Sequence, residues 1–214
     1  LSKCKFFPKS VEFVGHDLSF DGNRPSASKI PTLQTWPLPT DVRDVAGFIG
    51  FGSFYSKYIP YFEDRISHLR ELTKLPYDTP LAPSDLTSDI LAEYEDIKQA
   101  LLSAPCLRRH DTGKRNYLRT DFSAKGMGYA LLQPEDTDEA ISAMNREIAG
   151  GPCEFDIKMS SPRLFAVSFG ARRNRGYEKF LHSHLGEGFG LDWGANKNRH
   201  FLWGQRFTAI SDCY

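Results

Sequence analysis

Residues 116–133 read NYLRTDFSAKGMGYALLQ. Apolar and polar residues alternate on both sides of a short Ser-Ala-Lys-Gly break. The stretch therefore predicts a strand over 115–122, a turn, and a second strand over 126–133. Its one acid, Asp121, follows apolar strand residues, where a sheet favours Val or Ile. A lone Asp after a strand is ordinarily a turn residue. Kept beside other carboxylates, it becomes a cation site, because clustered negative charges repel one another unless a cation holds them.

Working outward, strand periodicity returns at 162–171 and 206–211, and a helix fits 182–203 between them. The order strand, strand, insertion, strand, helix, strand describes a mixed sheet with a helix packed on it. The insertion, 134–160, is acidic and rich in small residues, and is expected as a surface loop. At the other end, 1–20 reads as two short strands. Phe6 and Phe7 precede a turn at Pro8-Lys9-Ser10, and Val11, Phe13, Leu18 and Phe20 alternate with polar residues up to a turn at Asp21-Gly22-Asn23. Three prolines in 31–39 mark a connector. Thr40 is placed to cap a helix over 42–59, with Asp41 in its first turn and Pro60 ending it. Gly47, Gly50 and Gly52 interrupt that helix at roughly 1 kcal/mol each relative to Ala, so something is expected to approach its backbone closely. A second helix fits 85–104, with Ile90, Tyr94, Ile97 and Leu101 on one stripe. The fold class expected is a multidomain α/β chain: a β-hairpin segment over 1–36, a helical segment over 37–107, and a mixed-sheet domain over 108–214.

With 40% hydrophobic and 25% charged residues the chain is of globular composition. Its apolar runs are far too short to span a bilayer, and LSKCKFFPKS lacks the apolar core of a secretory signal. Leu1 is read as an interior point of a longer product or the start of a trimmed one. Cys4, Cys106, Cys153 and Cys213 are far apart and form no Cys-x-x-Cys pair, which argues for reduced intracellular thiols rather than zinc. The net charge of zero divides into +1 over 1–80, −5 over 81–160 and +4 over 161–214. The zero total argues against a purely electrostatic nucleic-acid binder, but not against one that grips nucleic acid locally and holds metal with acids elsewhere.

Asp121 ends one strand, Asp212 follows the last, and Glu187 stands early in the intervening helix. If the two strands are neighbours, the three acids converge, and oxygen ligands without His or Cys suit Mg²⁺ or Mn²⁺. Two such ions can bracket a phosphodiester. Here TDFSAKGMGYALLQ resembles the TDAS-x-x-G-x-G-AVL-x-Q stretch that opens the ribonuclease H domain of Ty3/gypsy-type long-terminal-repeat retrotransposon polymerases. Further blocks resemble that family in the same order. SKCKFFPKSVEFVGHDLSFDG is similar to the end of its palm, and TWPLPTDVRDVAGFIGFGSFYSKYIPYFEDRISHLRELTK to its thumb. IKQALLSAPCL is similar to its linker helix, VSFGARR to its third ribonuclease H strand, and EGFGLDWGANKNRHFLWGQRFTAISD to the block carrying its catalytic Glu and next Asp.

The resemblance implies that Asp121, Glu187 and Asp212 hold two Mg²⁺ ions for hydrolysis of RNA in RNA/DNA hybrids. It implies primer-template and the rest of the pol polyprotein as partners, no membrane, and a place in cytoplasmic virus-like particles and the nucleus. A fourth carboxylate would lie beyond Tyr214, and the polymerase Asp-Asp motif before residue 1. The chain departs from the family at DTPLAPSD, which lacks its Trp. It departs also at Gly188, Gly190, Asp192 and Gly194, which replace apolar or Ala positions and leave Glu187 on a helix expected to be loose. The rival expectation is a hybrid-binding remnant without activity.

Phe13, Val14, Gly15 and His16 match the family's primer-supporting hairpin, and 42–59 its minor-groove helix. On that helix Gly47, Gly50, Gly52 and Ser53 would admit sugars and phosphates, and Lys57 would reach a phosphate. On spacing alone the same segments fit an ordinary hairpin and a glycine-tolerant core helix. Arg172, Arg173, Arg175 and Lys179 fit either a hybrid backbone or a solvated charge run. Gly186-x-Gly188-x-Gly190 has the wrong context for a dinucleotide loop, and His182-x-His184 is expected as a surface pair.

Overall fold

The computed structural model describes residues 8–155 and 163–211. The expected turn at Val11's N-terminal side merges into strand β1 (Ser10–Phe13), and Phe6 and Phe7 lie outside the described residues. β1, β2 (His16–Ser19) and β3 (Gly22–Pro25) form an antiparallel sheet in that order. The first turn is Val14-Gly15, with φ of 48° and 72°. Two positive φ values in a two-residue connection match the right-handed strand twist, at a strain cost for β-branched Val. Gly22 starts β3 rather than sitting in a turn. A Cβ there would stand 2.1 Å from the Leu107 carbonyl oxygen. Asn23 and Leu107 exchange backbone hydrogen bonds of 2.9 Å each, which ties the hairpin to the second half of the chain.

The proline-rich connector contains a short helix, α1 (Ile30–Gln34); Pro31 falls in its first turn, where a helix has no use for the missing N–H. Helix α2 (Val42–Phe54) starts where expected, but its cap is Asp41 rather than Thr40. The Asp41 carboxylate accepts from the Asp44 N–H at 2.8 Å, and Asp44 accepts from the Thr40 N–H at 2.9 Å. The Thr40 hydroxyl also donates to Asp44, at 2.8 Å, so Thr40 serves as a donor to the first turn while Asp41 caps it. α2 ends at Phe54; a 3₁₀ turn (Ser56–Tyr58), α3 (Phe62–Arg65) and α4 (Ser67–Leu72) follow. Helix α5 (Ser88–Leu102), capped by Thr87, buries Ile90, Tyr94, Ile97 and Leu101 as its spacing predicts. Phe48 of α2 stacks on Tyr94 at 4.1 Å between centroids, which joins the two helices.

The mixed sheet is β4 (Asn116–Phe122), β5 (Gly126–Pro134), β6 (Leu164–Arg173) and β7 (Phe207–Ile210), in the order β6-β5-β4-β7. Only β4–β7 is parallel. The connection between them includes α7 (Ser183–Lys197) and α8 (Arg199–Leu202). This is the mixed α/β architecture that the alternation predicts. The expected surface loop at 134–160 instead holds helix α6 (Asp138–Ile148), capped by Thr137 and burying Ala140, Ala143 and Met144. Its apolar stripe is short and built of small residues, so its acids dominate the pattern. Glu147 of α6 accepts from the Tyr117 hydroxyl at 2.7 Å and pairs with Arg115 at 3.2 Å. No helix among the described residues is long and apolar enough to cross a membrane.

Candidate active site and nucleic-acid interface

Asp121 is the penultimate residue of β4 and sits opposite Gly128 of β5. Glycine is needed at 128: a Cβ would meet the Tyr61 ring at 2.6 Å. Tyr61 itself holds a left-handed backbone, φ 55°, between the thumb-like helices and the sheet. The turn after Asp121 is braced from the same side. The Ser123 hydroxyl donates to Asp64 at 2.8 Å, and the buried Asn174 amide donates to the Ser123 carbonyl at 2.6 Å.

Glu187 stands in the second turn of α7 and is 6% exposed. Its Oε1 accepts from the Phe122 N–H at 3.3 Å, and its Oε2 from the Ser211 hydroxyl at 2.9 Å. One carboxylate thus spans the end of β4 and the residue after β7. Among the described residues it has no salt bridge to Lys or Arg. The glycines explain how it arrives there. A Cβ on Gly186 would stand 2.1 Å from the Phe122 ring, and one on Gly194 would stand 3.2 Å from Tyr129 and 3.3 Å from Thr120. α7 therefore lies against the sheet along a glycine face, so Gly194 seats the helix rather than loosening it. Gly190 has ordinary room, and Gly188 faces open space.

Asp212 lies outside the described residues; Ser211, beside it in sequence, is the residue that touches Glu187. Among the described residues no three of His, Cys, Asp and Glu cluster as metal ligands, and His182 and His184 are an exposed stacked pair. Mg²⁺ is commonly held by one or two carboxylates plus substrate phosphates. A buried carboxylate with no Lys or Arg partner among the described residues, next to the strand end that carries Asp121, fits that donor set.

The hairpin divides its residues. Phe13 and Val14 are each 63% exposed at the tip. Gly15 and His16 face inward: the Tyr55 hydroxyl donates to the Gly15 carbonyl at 3.0 Å, and His16 stacks on Phe54 at 5.0 Å. Burial, then the charge of Lys57, holds the His16 imidazole below its ordinary pKa. On α2, Gly47, Gly50 and Ser53 make an exposed strip, and neither of these glycines has a neighbour within 4 Å of a built Cβ. Gly52 is a different case. It is buried with the Phe62 ring at 3.0 Å, so packing explains it. Lys57 lies in the 3₁₀ turn, half-buried, and burial lowers its pKa. Arg172 forks onto Glu178 at 2.6 and 2.8 Å, which drives the Glu178 carboxyl down to about 2. Arg173 reaches Glu71 at 3.5 Å. Asp64, Asn174 and Glu178 had no sequence signal, since each acts through partners set by folding.

Residues 86–151 match the family described as "RNase H-like domain found in reverse transcriptase". The chain is 26% identical over 216 residues to the retrovirus-related Pol polyprotein from transposon 297 of Drosophila melanogaster, a match covering 99% of the chain and 17% of the relative. It is 30% identical over 166 residues to the transposon Tf2-3 polyprotein of Schizosaccharomyces pombe, covering 78% of the chain and 12% of that protein. The chain therefore spans less than a fifth of the curated relatives' length. Among solved structures, the foamy viral protease-reverse transcriptase in complex with RNA/DNA hybrid superposes at a TM-score of 0.68 with 14% identity, over 99% of this chain and 25% of that one. The same viral protein in complex with dsDNA gives 0.66 at 15% identity, over 96% and 37%. At such identities these two show the fold alone. Residues 86–151 thus belong to the ribonuclease H-like domain family of reverse transcriptases, and along its length the chain is similar to Ty3/gypsy-type retrotransposon Pol polyproteins.

Proposed function

We propose that this segment carries divalent-metal-dependent hydrolysis of the RNA strand in RNA/DNA hybrids, serving reverse transcription within a longer polyprotein. The observation that carries this reading is Glu187: buried, without a basic partner among the described residues, and tied to the ends of β4 and β7. Asp121, Glu187 and Asp212 would hold Mg²⁺, with Mn²⁺ able to substitute. When bound, the metal supplies an activated water and charge stabilisation at the leaving oxygen. The chain's own part is to fix its ligands. The Phe122 N–H and Ser211 hydroxyl hold the two oxygens of Glu187, and the Asp64–Ser123 bond steadies the turn beside Asp121.

Hybrid and primer-template would be gripped at Phe13 and Val14, along Gly47, Gly50 and Ser53, and by Lys57, Arg172 and Arg173. The solved neighbours' complexes with RNA/DNA hybrid and dsDNA support that class of ligand. Work in cytoplasmic virus-like particles, with a nuclear phase, belongs to the same proposal. The test is Asp121→Asn on labelled hybrid, with the chain alone and joined to its polyprotein neighbours. Mg²⁺-dependent cleavage falls more than about 100-fold, beyond the loss from removing an outer partner of a metal ligand, while hybrid binding persists. Unchanged cleavage would sink the assignment; hybrid bound but never cut by the parent would leave a binding module.

A further inference from the structure

A cleft of about 730 Å³ opens between the turn that carries Lys57, the end of edge strand β6 and the C-terminal half of α7. Four cationic side chains from three segments line it: Lys57, Arg172, Arg175 and Lys197. The single acid in its wall, Glu178, is already engaged by both Arg172 nitrogens. Among the described residues, Lys57, Arg175 and Lys197 make no salt bridge. Some cations elsewhere are held by acids, as Arg65 is by Asp96 and Arg146 by Glu154. The other large cleft, about 760 Å³, sets Arg24, Arg108, Arg109 and Lys114 against Asp21, Asp111, Glu135 and Asp136, and neutralises itself.

Lys57 carries a further cost. It is partly buried with no counter-ion, and burial depresses its pKa. The Tyr58 ring, 5.2 Å from the ammonium, offsets part of that cost, and an anion would offset the rest. Arg172, locked by Glu178, lies 5.5 Å over the Trp193 ring and makes a rigid floor. The cleft is also placed near the candidate centre. In the sheet, Thr120 pairs with Tyr129 and Tyr129 with Gly170, so the cleft wall at Gly170 lies two strands from the row beside Asp121. At strand spacing that is roughly 10 Å from β4, although Thr120 and Tyr129 face α7 and Asp121, opposite Gly128, faces the Tyr61 side.

We infer that this cleft is a backbone-binding site for nucleic acid, in which Lys57, Arg175 and Lys197 take phosphodiester groups of the hybrid entering the candidate centre. The inference rests on the proposed hybrid substrate, but binding and cleavage test it separately. The experiment is anisotropy of a fluorescent RNA/DNA hybrid in EDTA, where no metal-dependent cleavage occurs, across roughly 50–200 mM salt. Each lost phosphate contact lowers the slope of log affinity against log salt by about 0.9. R175Q/K197Q is expected to lower it by about 1.8 and Lys57→Gln by about 0.9, whereas Arg146→Gln, on α6 and paired with Glu154, leaves it unchanged. Arg175 and Lys197 are exposed, so the double variant tests binding without a folding penalty. An unchanged slope in R175Q/K197Q overturns the site. If the slope falls while Asp121→Asn still cleaves, the cleft stands and the catalytic reading fails; the opposite pattern removes only the cleft.

Discussion

Gly186 and Gly188 lie two residues apart on α7, yet alanine should act on them in opposite directions. Gly188 is exposed, and a Cβ there meets nothing within 4 Å. Ala restricts the unfolded chain and favours the helix, so Gly188→Ala should stabilise by about 1 kcal/mol. For a chain of this size that corresponds to a Tm about 2–4 °C higher. Gly186 gains the same propensity term, but its Cβ would stand 2.1, 2.2 and 2.6 Å from three carbons of the Phe122 ring. Carbon atoms pack best at about 3.5–4.0 Å, so the helix or the ring must move by more than about 1 Å. Overpacking costs about 1–3 kcal/mol; a deficit this large belongs at the upper end, and subtracting the propensity gain leaves a net loss of about 2 kcal/mol. The Tm should fall by about 4–8 °C. Thermal unfolding followed by far-UV circular dichroism reads both variants. The displacement would also lengthen the Phe122 N–H to Glu187 bond, already 3.3 Å, so metal-dependent cleavage below the Tm should drop for Gly186→Ala and not for Gly188→Ala. A Gly186→Ala protein as stable as the parent would refute the close approach of α7 to β4, and with it the account of how Glu187 is positioned.

Two further predictions concern charge. Added Mg²⁺ should raise the parent's Tm, by about 1.4 kcal/mol of stabilisation at ten times its Kd, and should leave Glu187→Gln unmoved; equal shifts in both would place the metal elsewhere. Glu178 has its carboxyl pKa lowered to about 2, first by the Arg172 hydrogen bonds and then by the Arg175 N–H. A depressed folded-state pKa means stability that is present above the unfolded value of 4.5 and lost as pH falls towards about 2. Urea midpoints across that window should therefore fall less steeply for Glu178→Gln than for the parent, and parallel curves would show that the pair contributes nothing.

Local periodicity carried much of the fold. The apolar stripe of Ile90, Tyr94, Ile97 and Leu101 and the alternation in 116–133 each appear where the spacing puts them. Those patterns are legible because they repeat within one element and face one core. α6 was hidden because Ala140, Ala143 and Met144 give a stripe too weak against the acids around it. The cap fell on Asp41 rather than Thr40 because side-chain competition for one N–H is settled by geometry that sequence order does not contain.

The candidate centre divides in the same way. Strand-end position and family likeness single out Asp121 and Glu187 in the sequence. That Glu187 is buried, spans Phe122 and Ser211, and is brought in by Gly186 follows only from how closely α7 meets the sheet. Gly52 and Gly47 look alike in the chain, but one lies under Phe62 and the other faces open space. Lys57 is more than a hundred residues from Arg175 and Lys197 in sequence, yet all three line one cleft. Most of the strongly periodic segments were legible as helix or strand in the chain alone, because backbone pairing and amphipathic burial act over a few residues. Which side chains meet across those segments was decided by tertiary packing, because such contacts depend on the depth and angle at which whole elements dock.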